Sequence, residues 1–536
     1  MKKLLLVFGI LGIVLRLYNI TEHEINMYDE ATILLEAENV PTKYQWFFDN
    51  VAYLSGKIDR PNYRFHEPPE FALARPFFIH SVAVVSRITG GRDFDSHIVS
   101  MIWGIFIPVL IFFIAKKLDG PPGSAELAAA YAFVSPFLLN YSHLGLPESQ
   151  YIFMHLLYLF FMIDIFTTKG LSSGRAFCSG LVAALVLLTH LKFVMPFAIS
   201  LCGMFFWGGK DAIRKIVLVI LGILVPVFVL HFHDYVSWRM AQAIGMEVPL
   251  TGFGGYIDEV FIRVKSDGLI LSTKSMFTNL VYFVHLEHLM LFMTVLGAAF
   301  TTLQKSHRLT RASLFLLFCL MVNLLVILFT NQKNFHPSKY LRNLTSLFPF
   351  YVLISGIFIS LITSHFPKPA LSAAVLLTVF FAFNATFYNQ VTHFTNGYKN
   401  ALQYFSENHG GYTSDPTIGK YYMGRYETDF PFSPHLAVKG NAFFFSNLDR
   451  VYDFGFTLDK DRAADRNSGI AVGRDRVYII KRIPKSQGWK YAPLSMENGI
   501  PLKEIEESFA DPQNGFFYIG RIEIPEASEK VAPEKK

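Results

Sequence analysis

The sequence predicts an α-helical polytopic membrane protein of about eleven spans with a C-terminal soluble α/β domain. Three observations predict it. First, 52% of the 536 residues are hydrophobic and only 17% are charged, where a soluble globular chain has about 25% charged. Second, the charges are unevenly placed. Residues 391–536 hold 38 of them with no net charge, whereas residues 1–390 hold 52 and the whole excess of +6. Third, apolar runs near the ~20 residues that a span needs recur through the first 390 residues. They are 4–20, 97–115, 124–143, 148–167, 176–190, 192–208, 213–234, 279–302, 312–330, 344–363 and 370–388, the fifth and sixth sharing a hairpin at 189–192. The chain thus divides into a membrane domain, 1–390, and a soluble domain, 391–536.

Each element follows from local signals. The opening MKKLLLVFGILGIVLRLYNI ends its apolar run in Arg16, Leu17, Tyr18 and Asn19. A signal peptide ends in small residues around a cleavage site, so this segment reads as a retained span with Lys2 and Lys3 in the cytoplasm. Cytoplasmic loops carry excess Lys and Arg. From that start, alternate loops hold Lys116 and Lys117, then Lys169 and Arg175, then Lys210, Arg214 and Lys215. Lys305, Arg308 and Arg311 follow, and finally Lys368. All six segments fall on one side, and an odd number of spans places the C-terminal domain outside the cell or inner membrane. The polar insertions then gather on that outer face, chiefly residues 21–96. Within them, 70–90 is apolar but carries Glu70, Arg75, His80 and Arg87, which suits an amphipathic helix lying in the interface. In the soluble domain NGYKNALQYFSENHGG reads as a helix closed by a Gly pair. NAFFFSN, DRVYIIKRI and GFFYIGRIEI read as strands, and the tail ASEKVAPEKK as disordered.

Composition also excludes. No basic domain exists to meet phosphates, so nucleic acid is not a partner. The three cysteines, Cys178, Cys202 and Cys319, lie in apolar stretches and read as small core hydrophobes rather than a disulfide scaffold.

The candidate chemistry sits on the outer face. Asp29 and Glu30 stand side by side in NMYDEATILLEAE, ahead of a segment that can fold as an amphipathic helix along the membrane. His66 and Glu67 precede the interfacial helix in HEPPEF. Glu148 follows Pro147 at the start of the fourth span, where a carboxylate meets the helix dipole. Each acid alone reads as a solvated or helix-end group. Together they can supply a general base or bind a divalent metal through oxygen ligands, and the sequence leaves both open. Opposite charge reaches the same level: Lys192 beside His190, and Lys333, Lys339 and Arg342 in NQKNFHPSKYLRNL. Lys and Arg near helix ends commonly snorkel to head groups, yet their convergence on the acid-bearing face favours an anionic ligand such as a lipid phosphate. No HExxH motif or Gly-rich phosphate loop occurs. No cofactor is therefore required by the sequence, and a soluble nucleotide is not an evident substrate.

Four places resemble the dolichyl-phosphate-mannose–protein mannosyltransferase-like group, glycosyltransferase family 39, with its bacterial aminoarabinose-transferase relatives. They are Tyr28-Asp29-Glu30-Ala31, His66-Glu67-Pro68-Pro69-Glu70-Phe71, Leu146-Pro147-Glu148, and Lys339-Tyr340-Leu341-Arg342 before a Pro-interrupted span. The resemblance covers roughly residues 1–390 and rests on the order of these short motifs. It implies the C-type glycosyltransferase fold and transfer of a sugar from a polyprenyl-phosphate donor to a hydroxyl acceptor. It further implies that Asp29 acts as base, with Glu30 and Glu148 in support. His66, Glu67, Lys192, Lys339, Tyr340 and Arg342 would bind substrate. Glu67 and Glu70 depart from the Lys or Leu found around the Pro pair in many relatives. A lipid-linked glycan ligase or oligosaccharyltransferase would share the donor and the acids. A transporter or flippase would explain the spans, but transporters often show two related halves and no internal duplication is evident. A non-catalytic scaffold with a partner-binding outer domain is the third alternative.

Overall fold

A computed structural model of the chain describes residues 1–25, 28–57, 75–118, 120–166, 171–207, 211–243, 269–270, 307–329, 331–332, 345–392, 397–408, 412–413, 421, 440–446, 477–484 and 516–524. The chain forms two compact units. One comprises Met1–Thr21, Glu36–His393 and Met496–Gly499; the other comprises Glu22–Leu35, Phe394–Ser495 and Ile500–Lys536.

The first unit is built of helices where the apolar runs lie. They are α1 (Lys2–Leu17), α2 (Tyr28–Leu54, whose first turns belong to the second unit), α3 (Pro76–Thr89), α4 (Asp95–Leu118), α5 (Ser124–Val134) and α6 (Pro136–His143). Then come α7 (Glu148–Met162), α8 (Ser173–Thr189), α9 (Val194–Trp207), α10 (Ala212–Ala243), α11 (His307–Phe329), α12 (Phe348–Ser364), α13 (Pro369–Phe383) and α14 (Ala385–Thr392). Three stretches, Lys2–Glu22, Asp95–Leu118 and Ala212–Val229, are long and apolar enough to cross a membrane, and seven shorter apolar helices accompany them among the described residues. The expected span 279–302 lies outside the described residues. Backbone polar groups inside a bilayer must be satisfied within the segment, which is why apolar runs of this length become helices.

Helices in lipid approach through small residues, and α8 crosses α10 in this way. A side chain at Gly180 would collide with the Val219 carbonyl, and one at Gly222 with the Phe177 carbonyl. Apolar residues such as Val194, Phe206, Ile213 and Phe228 point outward. The same outward packing corrects the reading of the cysteines: Cys319 is buried, but Cys178 and Cys202 are exposed on α8 and α9.

The run 124–143 is two helices rather than one. Ser135 is extended (φ −63°, ψ 123°) and its side chain accepts from the Leu138 amide. Pro136 has no N–H to return to the Ala132 carbonyl. Carbonyls freed by this break are taken up by other helices. Arg16 of α1, fully buried, donates to Phe133 O at 2.7 Å, to Ala132 O at 3.4 Å and to Ser142 Oγ at 3.3 Å. The Tyr388 hydroxyl of α14 donates to Val134 O. Gly12, one turn before Arg16, allows the approach: a Cβ there would lie 2.5 Å from the Phe133 carbonyl oxygen.

Several contacts place the basic loops at one end of this unit. Asp164, just past α7, accepts from Lys117 at the end of α4 (3.0 Å) and from Arg175 in the first turn of α8 (2.5 Å). Lys117 also lies over the Phe160 ring. Arg311 of α11 donates to Trp207 O at the end of α9, and Ser360 near the end of α12 donates to Pro122 O. Antiparallel alternation then carries the starts of α7 and α9 to the other end.

Two short strands of the first unit, β1 (Leu269–Ile270) and β2 (Asn331–Gln332), pair antiparallel. In the second unit α15 (Tyr398–Asn408) packs on a four-stranded sheet, burying Ala401, Leu402 and Phe405. The strands of the second unit are β3 (Tyr412–Thr413), β4 (Gly440–Ser446), β5 (Val477–Pro484) and β6 (Phe516–Ile524), in spatial order β3-β4-β6-β5. β3 pairs parallel with β4, and the other pairs are antiparallel. A register shift between Ile479 and Lys481 interrupts the β5–β6 ladder.

Candidate functional site

The best-defined charged cluster is built on the start of α7. Pro147 closes the preceding loop in an αR conformation and is the N-cap. Two buried side chains of α4 fix that loop: His97 Nδ1 donates to His143 O at 2.6 Å, and Ser100 Oγ donates to Leu146 O at 2.7 Å. Glu148 therefore begins the helix from a held position, fully buried, with the positive end of the helix dipole at its own backbone.

The hairpin between α8 and α9 meets it. α8 ends at Thr189 and a short 3-10 turn, Leu191–Phe193, leads into α9. Lys192 Nζ lies 3.5 Å from Glu148 Oε1, and His190 Nε2 lies 3.8 Å from the same oxygen. The Lys192 amide donates to His190 Nδ1 at 3.3 Å, so the imidazole proton sits on Nε2, toward the carboxylate. Lys192 also stands over the Tyr151 ring, 4.6 Å from its centroid, a cation–π contact. Its side chain is 10% exposed, so it is held inside the unit rather than extended to head groups. Removing one partner alone from a buried ion pair costs about 3–5 kcal/mol.

Asp29 and Glu30 occupy the first turn of α2, within the second unit. Glu30 is buried and Asp29 partly so. First-turn carboxylates favour the helix N-terminus, which accounts for the helix beginning there. Nearby in the same unit the Lys399 amide donates to Glu24 Oε2 at 3.4 Å. His66, Glu67, Lys339, Tyr340 and Arg342 lie outside the described residues. Among the described residues no three His, Cys, Asp or Glu side chains gather as a metal site.

Two groups near Glu148 escape a sequence reading. Tyr151 and His155 share its helix face and are fully buried. Their spacing from Glu148, three and seven residues, is visible in ESQYIFMH, but aromatic residues at helical spacing ordinarily read as core.

No protein-family model and no curated protein matches the chain. Solved structures do. The chain resembles ArnT from Cupriavidus metallidurans bound to undecaprenyl phosphate, at 11% identity and a TM-score of 0.57, over 84% of this chain and 94% of that one. It also resembles the archaeal oligosaccharyltransferase AglB from Archaeoglobus fulgidus in complex with an inhibitory peptide and a dolichol-phosphate, at 12% identity and a TM-score of 0.52. That match covers 80% of this chain but only 60% of AglB. The chain thus has the helical fold of these solved structures, and three of its stretches among the described residues are long and apolar enough to cross a membrane.

Proposed function

We propose that the protein is a membrane glycosyltransferase moving a sugar from a polyprenyl-phosphate donor to a hydroxyl acceptor on the outer face of the membrane. The observation that carries the reading is the fold shared with two proteins whose structures hold a polyprenyl-type lipid phosphate. The buried Glu148–Lys192 pair supports it by supplying an acid and a cation at one end of the helical unit.

In this mechanism the acceptor oxygen attacks the anomeric carbon as the bond from that carbon to the phosphate oxygen breaks. The hydroxyl is a weak nucleophile at neutral pH, and Asp29 takes its proton in the transition state. The departing electron pair resides on the lipid phosphate, whose growing charge Lys192 and Arg342 meet. Glu30 and Glu148 support and place the base and acceptor, while His66, Glu67, Lys339 and Tyr340 line the substrate. A single displacement of this kind inverts the anomeric carbon. The likeness to AglB favours, as a second reading, transfer of a whole lipid-linked glycan. Mass spectrometry of surface glycans and lipid-linked sugars with and without the protein separates the two. Loss of the protein should accumulate a lipid-phosphate monosaccharide and leave a glycan one residue short. Accumulation of a lipid-linked oligosaccharide would select the ligase, and unchanged profiles would reject both.

Lys192→Gln should lower transfer roughly 10²-fold, the usual effect of losing one donor to a developing oxyanion. It also leaves Glu148 buried without its ammonium, so the double variant Lys192→Gln/Glu148→Gln is the control for folding. Recovery of thermal stability without recovery of transfer is the expected result. Normal transfer by the stable double variant would put the phosphate elsewhere.

The orientation proposed from the loop charges has its own test. Protease added to intact cells or spheroplasts should remove material after about residue 390. Cleavage only after lysis would reverse the topology.

A further inference from the structure

From its charged start at Glu148, α7 continues along one face in uncharged polar residues. Glu148, Tyr151, His155 and Tyr158 follow an i, i+3, i+7, i+10 pattern, which lies on one helix face, and all four are fully buried. At 1.5 Å per residue, His155 lies about 10 Å along the axis from Glu148. The Tyr158 hydroxyl is hydrogen-bonded to Ser200 Oγ at 2.7 Å. Tyr151 and His155 differ. Neither the Tyr151 hydroxyl nor either ring nitrogen of His155 has a hydrogen-bond partner among the described residues. The groups around His155 are rings instead: Phe193 at 5.0 Å, Phe350 at 5.2 Å and Tyr151 at 5.8 Å between centroids.

Three buried polar atoms with no partner among the described residues are costly to a fold, and their chemistry defines what would satisfy them. A neutral imidazole offers one N–H and one lone pair, and a phenol both donates and accepts. A phosphate oxygen accepts only and would leave the imidazole lone pair unmet. An ammonium donates only and would leave the N–H unmet. A polyol does both, one hydroxyl accepting from the N–H and another donating to the lone pair. Aromatic walls suit the apolar faces of a pyranose. The row also adjoins the proposed phosphate cation, since Lys192 sits over the Tyr151 ring.

We infer that Tyr151 and His155 bind hydroxyls of the donor's sugar and so help to set which sugar is accepted. The inference rests on the reading of Lys192 as a phosphate ligand given above. Both residues act through affinity and recognition, and neither takes part in bond making.

The test uses the full-length protein in nanodiscs with two kinds of probe: undecaprenyl phosphate, and undecaprenyl phosphate carrying a panel of single pyranoses. Affinity is read from the ligand-dependent shift in unfolding temperature. Tyr151→Phe removes one oxygen and His155→Leu removes both nitrogens at similar volume. The expected result is unchanged binding of the bare lipid phosphate in Tyr151→Phe, with about a tenfold loss of affinity for the preferred sugar-bearing lipid. A deoxy sugar lacking the recognised hydroxyls should bind wild type and variant equally.

Full retention of the sugar-dependent increment in both variants would overturn the inference and assign the partner to a fixed water. Equal loss for bare and sugar-bearing lipid would also overturn it, by placing the pair in the phosphate site or the fold. Wild-type protein that binds neither lipid would sink the donor reading itself, and this assignment with it.

Discussion

Sugar transfer by the Asp29→Asn variant is expected to fall at least about 100-fold, with donor affinity unchanged. General-base catalysis by a placed carboxylate contributes typically 10²–10⁴-fold, and Asn keeps the size while removing the basicity. The substitution is also mild for the fold. Asp29 is only partly buried in the first turn of α2, where a carboxylate's interaction with the dipole is worth roughly 0.3–1 kcal/mol. Its neighbour gives the contrast. Glu30 is fully buried, so Glu30→Gln should lower stability as well as rate. Initial rates measured with a saturating synthetic polyprenyl-phosphate sugar, alongside donor binding, distinguish the two effects. A loss confined to kcat marks an interaction made in the transition state. Near-normal turnover by Asp29→Asn would move the role to Glu30, Glu148 or Glu67.

Much of the fold is legible in the sequence because the bilayer leaves few alternatives. Helices stand at the described spans, at 76–89 and at 398–408, and strands stand in the three aromatic, β-branched runs. Breaks and pairings are less legible. The run 124–143 is mostly apolar, and only Pro136 signals that it is two helices. Arg16 marks a span's end by composition, whereas its use depends on carbonyls 116 and 117 residues away. The site shows the same limit. Glu148 and Lys192 each carry a local signal, a helix start and a hairpin tip. Their pairing spans 44 residues and follows from how α7 packs on α8. Tyr151 and His155 remain hidden for a different reason: a buried polar atom is distinguished from a core ring by the partner it lacks, which sequence does not record.

Arg16→Met is expected to lower the stability of the whole helical unit by roughly 2–6 kcal/mol, the cost of two buried carbonyls at ~1–3 kcal/mol each. Those are the Ala132 and Phe133 oxygens that the guanidinium serves across the α5–α6 break. The opposing term is real, since a buried charge costs several kcal/mol of desolvation and Met removes it. Met gives nothing back to the carbonyls, however, and the break itself remains because Pro136 and Ser135 impose it. Intramembrane charges are tolerated where they pair with backbone carbonyls, and here the carbonyls need the pairing as much as the charge does. Arg16→Gln separates the two terms. Its amide donates two hydrogens without a charge, so its stability should lie between Met and wild type if unmet carbonyls dominate. Arg16→Lys keeps the charge but loses the planar fork that reaches Phe133, Ala132 and Ser142 together, and should also be destabilised. Thermal unfolding in detergent, followed by loss of monodisperse protein, reads the order. A Met variant as stable as wild type would show that the break is satisfied without Arg16, with Tyr388 among the described residues still serving it.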